Sequence, residues 1–394
     1  MKYLDLFGDD KGIRHTLYNK NVKVLDFIRP INELEDIYLT EVYREDLLPY
    51  RIKYKPELID TWLYDRAIPT NRDHIEKVLQ AIGLNSYNHL DLLEVNNACS
   101  LNDTYWIKAD KEYLDYHCQS FEDVSLYRGF KESLGIVTFF GGDSSLGGRL
   151  ATPEVTSQGM LGKAWRVDDG RIKLFKAGTS GYANAGLEPY MEVISAKVAD
   201  ILNINHIDYK LDYWDNKVCC VSELFTSEDV GYLPMAEYLK AEVGEDRRWT
   251  YKLLEKILSN DFMDKINDMI VFDFIIENCD RHFNNFGFLI NNNTREIIDI
   301  APLFDHGMSL HWNKLPQYDL YNKMDTNKGT FEITNLKIAL AIVQSNPRKY
   351  KHWAKELRLN IEILNDSIDN LKEISRRKWV KKLLVDRCEM IMNM

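Results

Sequence analysis

Apolar positions along the chain recur with a helical period in some stretches and alternate in others, and the switches between the two lay out an order of elements. After Asn71-Arg72-Asp73-His74, the residues Ile75, Val78, Leu79 and Ile82 share one face and predict a helix. Arg171 to Lys176 alternates as a strand does, Gly178 to Gly186 reads as a loop, and Glu188 to Leu202 returns to helical spacing through Val193, Ile194, Val198, Ile201 and Leu202. Val218 to Phe225 is β-rich, and Met263 to Glu277 is a long apolar helix. Phe286 to Ile290 and Glu296 to Ile300 flank Asn291-Asn292-Asn293-Thr294, a hairpin signal. From Thr334 onward the chain reads as helical, with Trp379, Val380, Leu383, Leu384, Arg387 and Ile391 spaced as a core face. The most glycine-dense stretch, Phe139 to Gly162, reads as loops between short strands, and the first 130 or so residues are mixed and aromatic-rich. Strands first and helices later predict an α+β plan.

Length changes the picture first, because 394 residues suggest two or three domains. Apolar residues make up 45 % of the chain, enough for a sizeable core. The formal net charge of −11 argues against nucleic acid or an anionic membrane as partner, while leaving room for a local basic cleft. None of the six cysteines is spaced Cys-x-x-Cys, so neither a zinc site nor a disulfide framework is expected, and a reducing compartment is. Met1-Lys2-Tyr3-Leu4-Asp5 opens no signal peptide, and no apolar run reaches membrane-spanning length. The expectation is a soluble, cytoplasmic protein.

The strongest local signal is Asn278-Cys279-Asp280-Arg281-His282-Phe283-Asn284-Asn285, between the long apolar helix and the hairpin. Pro302-Leu303-Phe304-Asp305-His306-Gly307 follows the hairpin. Phosphoryl transfer needs positioning and charge neutralisation: one carboxylate to orient a hydroxyl and take its proton, and a carboxamide with a second carboxylate to hold Mg²⁺. Asn285 stands five positions after Asp280, the spacing of a kinase catalytic loop. Asp305 comes after a strand–turn–strand with Gly307 two positions on, where kinases place their metal-binding aspartate. In isolation the Asp-Arg-His string is as compatible with a polar turn; the order of parts argues for a catalytic loop.

A kinase also needs a strand lysine for phosphates and a helical glutamate to hold it. Lys173 is the candidate and Lys176 its competitor, with opposite parity on a period-2 strand, so both cannot face one cleft. Glu192 on the next helix is the candidate partner. Gly159 and Gly162 precede the strand and would let backbone N–H groups approach phosphates, although glycines there are as ordinary in a turn.

These residues resemble the HipA-like serine/threonine kinases. Thr156-Ser157-Gln158-Gly159-Met160-Leu161-Gly162-Lys163 is similar to that family's phosphate loop. Ile172-Lys173-Leu174 with Glu192-Val193-Ile194-Ser195-Ala196-Lys197 is similar to its lysine strand and following helix. Cys279 to Gly287 with Ala301-Pro302-Leu303-Phe304-Asp305 is similar to its catalytic and metal loops. The resemblance spans residues 150 to 320 and implies ATP and Mg²⁺ as cofactors. It makes Lys173 rather than Lys176 the phosphate ligand, Asp280 the base, Asn285 and Asp305 the metal ligands, and His282 a structural or phosphate-contacting residue. It further implies that Val221 to Phe225 meets adenine through backbone near Glu223 and Leu224, and that Thr156, with Ser157 adjacent, stands where the family carries an autophosphorylated serine.

The expected architecture is therefore a two-lobed, protein-kinase-like α+β fold: an N-terminal accessory region over 1–135, a β-rich N-lobe over 136–225 and a helical C-lobe over 226–394. The expected activity is phosphoryl transfer from ATP to a protein serine or threonine. Lipid and small-molecule kinases are the alternatives, with a nucleotide-binding pseudokinase the non-enzymatic one. Lys314, Lys323 and Lys328, set against Asp305, Asp319 and Asp325, make a poor membrane surface for a lipid kinase. No residue pattern points to an antitoxin-like partner.

Overall fold

The computed structural model describes residues 12–30, 35–68, 70, 74–110, 121, 132–141, 161–180, 185–244, 248–313, 330–331 and 335–394. The chain forms two compact units, each gathered from three stretches: residues 1–174, 224–245 and 288–299 in one, residues 175–223, 246–287 and 300–394 in the other.

In the first unit, Gly12–Asn19 and Val22–Pro30 form a hairpin, flanked by Tyr38–Val42 on one edge and Tyr105–Ala109 on the other, all antiparallel. Leu17, Leu25 and Phe27 pack with Ile52, Ile59, Trp62 and Leu63 from two short helices. The buried positions also include His15, Thr16, Asn19 and Asp26, so the apolar alternation that would mark these strands is broken in the sequence. Asp26 is compensated inside the sheet, accepting hydrogen bonds from Thr16 at 2.7 Å, Arg14 at 2.6 Å, Lys23 at 3.0 Å and the Tyr43 hydroxyl at 2.7 Å. The helix expected from Ile75 runs over Ile75–Ala81 and buries Val78 and Leu79 against Val137. Phe139 and Phe140 are not loop, as the glycine density suggested, but the end of the helix Glu132–Phe140. Gly287–Asn291 and Ile297–Ile300 pair as the expected hairpin, with Val230–Pro234 as the third strand.

The second unit holds the elements that the sequence reads best. Its hairpin Lys210–Trp214 and Lys217–Glu223 turns through Asp215 and Asn216, both left-handed with φ of 48° and 62°, as a two-residue turn requires. The helix Glu188–Leu202 has the expected limits, opens with Pro189 in its first turn and closes on left-handed Asn203. The long helix runs over Asn260–Ile276, three residues earlier than Met263, because Ser259 caps it by accepting the Phe262 N–H. It ends at left-handed Glu277, which turns the chain straight into the Asn278–Asn285 motif. Asn335–Ser345, Pro347–Leu359 and Ile374–Met392 complete the helical part, and the face from Trp379 to Ile391 is buried as its spacing predicts. No helix among the described residues is long and apolar enough to cross a membrane.

Candidate active site

A carboxylate inside an apolar helix is the starting point. Asp273 lies in Ile270-Val271-Phe272-Asp273-Phe274-Ile275-Ile276, is 2 % exposed, and needs a cation. Arg281 supplies it from beyond the helix end, with Nε at 3.0 Å from one carboxylate oxygen and Nη2 at 3.1 Å from the other. The remaining guanidinium protons are also engaged: Nη1 donates to the carbonyls of Asn285 at 2.9 Å and of Phe304, and Nη2 to His306 Nδ1 at 2.9 Å. All five donors are thus used, and one side chain fixes the catalytic-motif loop and the Asp305 loop to the same helix. Burial, and then the Arg281 charge, hold His306 well below the usual imidazole range, so it is neutral and its Nδ1 can accept that bond.

The Asp280 loop is shaped locally. Asn278 Oδ1 accepts the Asp280 N–H at 3.1 Å, the His282 N–H donates to the Asp280 carbonyl at 2.9 Å, and the Asn285 N–H donates to the His282 carbonyl at 2.8 Å. Asn285 Nδ2 donates to the Asp280 carbonyl at 3.1 Å, which commits the amide nitrogen and turns Asn285 Oδ1 into the ligand atom on offer. His282 is exposed and its Nδ1 accepts the Asn284 N–H at 3.3 Å, a loop-shaping contact. Burial first, and the neighbouring Asp305 charge with it, raise the Asp280 carboxyl above the ordinary aspartate range against the pull of His282 and Lys176. A raised carboxyl is a better proton acceptor.

Lys176, not Lys173, meets the glutamate. Lys176 Nζ donates to Glu192 Oε1 at 2.7 Å and to Asp305 Oδ1, while Lys173 Nζ bonds Asp168 at 2.7 Å. Glu192 is fully buried, and its second oxygen accepts the His306 N–H at 2.6 Å. Burial opposes the charge on Lys176, but the Asp305 and Glu192 carboxylates outweigh it and hold the ammonium well above its usual range. Asp305 itself is left-handed, with φ of 60°. Gly307 permits the close approach of this loop, since a Cβ there would lie 3.2 Å from Glu192 Oε1 and from Glu188 Cβ.

Of the residues singled out in the sequence, Glu192, Asp280, His282, Asn285 and Asp305 belong to the second unit, as does exposed Glu223. Gly162, Lys173 and Leu224 belong to the first. Gly162 directly precedes the strand Lys163–Asp168, and the Leu224 N–H is committed to the Ile172 carbonyl at 2.9 Å. Gly159, Thr156 and Ser157 lie outside the described residues. Arg281, Asp273 and His306 hold the site together and are not among the residues singled out from the sequence. Asp273 was the available signal, as a lone acid in an otherwise apolar helix.

Among the described residues, no group of three or more His, Cys, Asp or Glu side chains is gathered for a metal. A magnesium ion needs no such cage, because it takes one or two protein oxygens together with phosphates and water. Asn285 Oδ1 and the Asp305 carboxylate are hard oxygen donors of that kind, and they fit it.

The sequence matches no protein-family model and no curated protein. Among solved structures, the chain is similar to HipA of Shewanella oneidensis MR-1, from a toxin–antitoxin system and solved with HipB and operator DNA. The TM-score is 0.57 at 10 % identity, covering 96 % of this chain and 99 % of HipA. It is also similar to CtkA, a proinflammatory kinase of Helicobacter pylori, with a TM-score of 0.47 at 17 % identity over 59 % of this chain and 88 % of that one. At such identity the HipA likeness is one of fold, and it runs along nearly the whole chain. The α+β plan expected from the sequence is the one found, and the fold is like that of HipA.

Proposed function

We propose that this protein is an ATP- and magnesium-dependent phosphotransferase of the HipA-like kind, acting on a serine or threonine hydroxyl of a protein. The observation that carries the proposal is Lys176, bonded at once to the helical Glu192 and to Asp305. A strand lysine held by a helical glutamate, with a metal-loop aspartate beside it, is the charge arrangement that kinases use on nucleotide phosphates.

Each residue then has one task. Lys176 neutralises phosphate charge, and Glu192 holds it in place. Asn285 and Asp305 hold Mg²⁺, which when bound neutralises the charge that develops on the phosphate oxygens. Asp280 aligns the acceptor hydroxyl and takes its proton as the new O–P bond forms and the bond to the leaving diphosphate oxygen breaks. Arg281 touches none of the reacting atoms; it keeps the Asp280 loop and the Asp305 loop in register. The HipA fold supports the HipA-like assignment, and the motif resemblance in the sequence favours a protein as the acceptor.

Asp305→Asn tests the metal assignment. The variant keeps the shape and a left-handed-tolerant residue but loses the charge, so magnesium should tighten ATP binding far less than in the wild type. Calorimetric titration with ATP, with and without Mg²⁺, reads this directly. An unchanged magnesium effect would remove Asp305 from the metal site.

A further inference from the structure

We infer that Tyr209 is a positioning residue for Asp305, its hydroxyl holding the loop backbone in the conformation from which the carboxylate reaches Lys176. The inference rests on the proposed function, since it gives a task to the hydroxyl only if Asp305 is a metal ligand.

Asp305 stands in the left-handed region, which a residue with a Cβ occupies at a cost and keeps only where its surroundings over-determine it. The surroundings here are a short rail of chain from Asn205 to Tyr209. The Leu303 N–H donates to the Asn205 carbonyl at 3.0 Å, and the Ile207 N–H donates to the Leu303 carbonyl at 2.8 Å. Two residues on, the Asp305 N–H donates to the Tyr209 hydroxyl oxygen at 3.2 Å, and the His306 N–H to Glu192 at 2.6 Å. The pairing thus begins as backbone to backbone and passes to side chains where the loop turns left-handed. Backbone acceptors survive any substitution; the Tyr209 oxygen does not. The Tyr209 ring is anchored independently, packed among Val193, Ala196 and Cys220, so a phenylalanine would fill the same space. Glu192, by contrast, also holds Lys176, and altering it would disturb two functions together.

The test compares Tyr209→Phe with the wild-type chain by titrating a non-hydrolysable ATP analogue with and without Mg²⁺. Affinity without the metal should stay within about twofold, because the ring stays in place and Glu192 still holds Lys176. The factor by which magnesium tightens binding should fall about tenfold, the scale of a buried donor losing its acceptor. Placed on top of Asp305→Asn, the same substitution should change the magnesium factor no further. An unaltered magnesium factor in Tyr209→Phe overturns the inference, as does a parallel loss with and without metal, which marks a merely structural role. If Tyr209→Phe does not fold, adding Asp305→Gly should restore folding, because glycine accepts the left-handed conformation freely; continued unfolding overturns the inference. Wild-type protein that binds no nucleotide with magnesium defeats the proposed function, and this role with it.

Discussion

Lys173 and Lys176 stand three positions apart on one strand and differ in where their ammonium groups end. Lys173 lies beside the tight turn at Asp169 and Gly170, and pairs with Asp168, a half-exposed carboxylate. Such a pair contributes little to stability and is screened by salt. Lys176 is 13 % exposed and shares two carboxylates, so removing it strands a buried charge on Glu192. Lys173→Met should therefore leave ATP–Mg²⁺ affinity within about twofold and stability close to that of the wild type. Lys176→Met should weaken ATP by at least about tenfold and destabilise the fold by about 3–5 kcal/mol. Nucleotide titration and urea unfolding of both variants decide between them; loss of binding in Lys173→Met instead would restore the other lysine. Strand parity showed that only one of the two could face the site. The acidic turn at Asp168-Asp169-Gly170 was the clue that assigns Lys173 elsewhere, and the family resemblance pointed past it. Asp280, Asn285 and Asp305 could be put forward from the sequence because a catalytic loop would fix their spacing. Arg281 and Tyr209 could not, because their tasks depend on partners that folding brings together.

At the scale of elements, the same contrast separates the helices from the N-terminal sheet. Glu188–Leu202 and Ile374–Met392 bury stripes at helical spacing, so their periods could be read directly. The strands Gly12–Asn19 and Val22–Pro30 bury polar residues that satisfy one another, and hydrogen-bond compensation leaves no trace in a hydropathy pattern. Asp26 makes this testable. Burial pushes its carboxyl up, but bonds from Thr16, Tyr43, Lys23 and Arg14 outweigh that and hold it below the ordinary aspartate range. A depressed folded-state value means that the charged form stabilises the fold above the unfolded-state range, and that this contribution is lost as pH falls through the lowered value. Asp26→Asn should cost about 2 kcal/mol at neutral pH, the scale of hydrogen bonds to a charged group. The gap between wild type and variant should narrow as pH drops below about 4. Urea midpoints at pH 7 and pH 3 give the comparison; a gap that stays constant or widens in acid would mean that the carboxylate is not the stabilising species.

For the molecule as a whole, the two compact units interleave in sequence, so neither can be cut out as one contiguous segment. Lys176, Glu192, Tyr209, Asp273, Asp280, Arg281, Asn285, Asp305 and His306 nevertheless all belong to one unit, drawn from its three stretches. Lys176 and Arg281 are the site's two cations, each held by carboxylates, Lys176 by Glu192 and Asp305 and Arg281 by Asp273. The HipA fold extends over 96 % of the chain, whereas the motif resemblance in the sequence was confined to residues 150 to 320. Fold tolerates changes of sequence that the chemistry of a catalytic loop does not. The measurement that bears most directly on the account is transfer of a labelled γ-phosphate from ATP–Mg²⁺ to the protein itself or to a generic serine/threonine protein, for the wild type and for Asp280→Asn. The amide has the shape of the carboxylate but presents N–H donors and is far less basic. The account predicts label transfer by the wild type, a fall of about 10²–10⁴ in Asp280→Asn, and ATP affinity within a few-fold in both. Near-normal transfer by Asp280→Asn would contradict it, as would a wild type that binds ATP tightly yet labels no protein, lipid or small molecule offered.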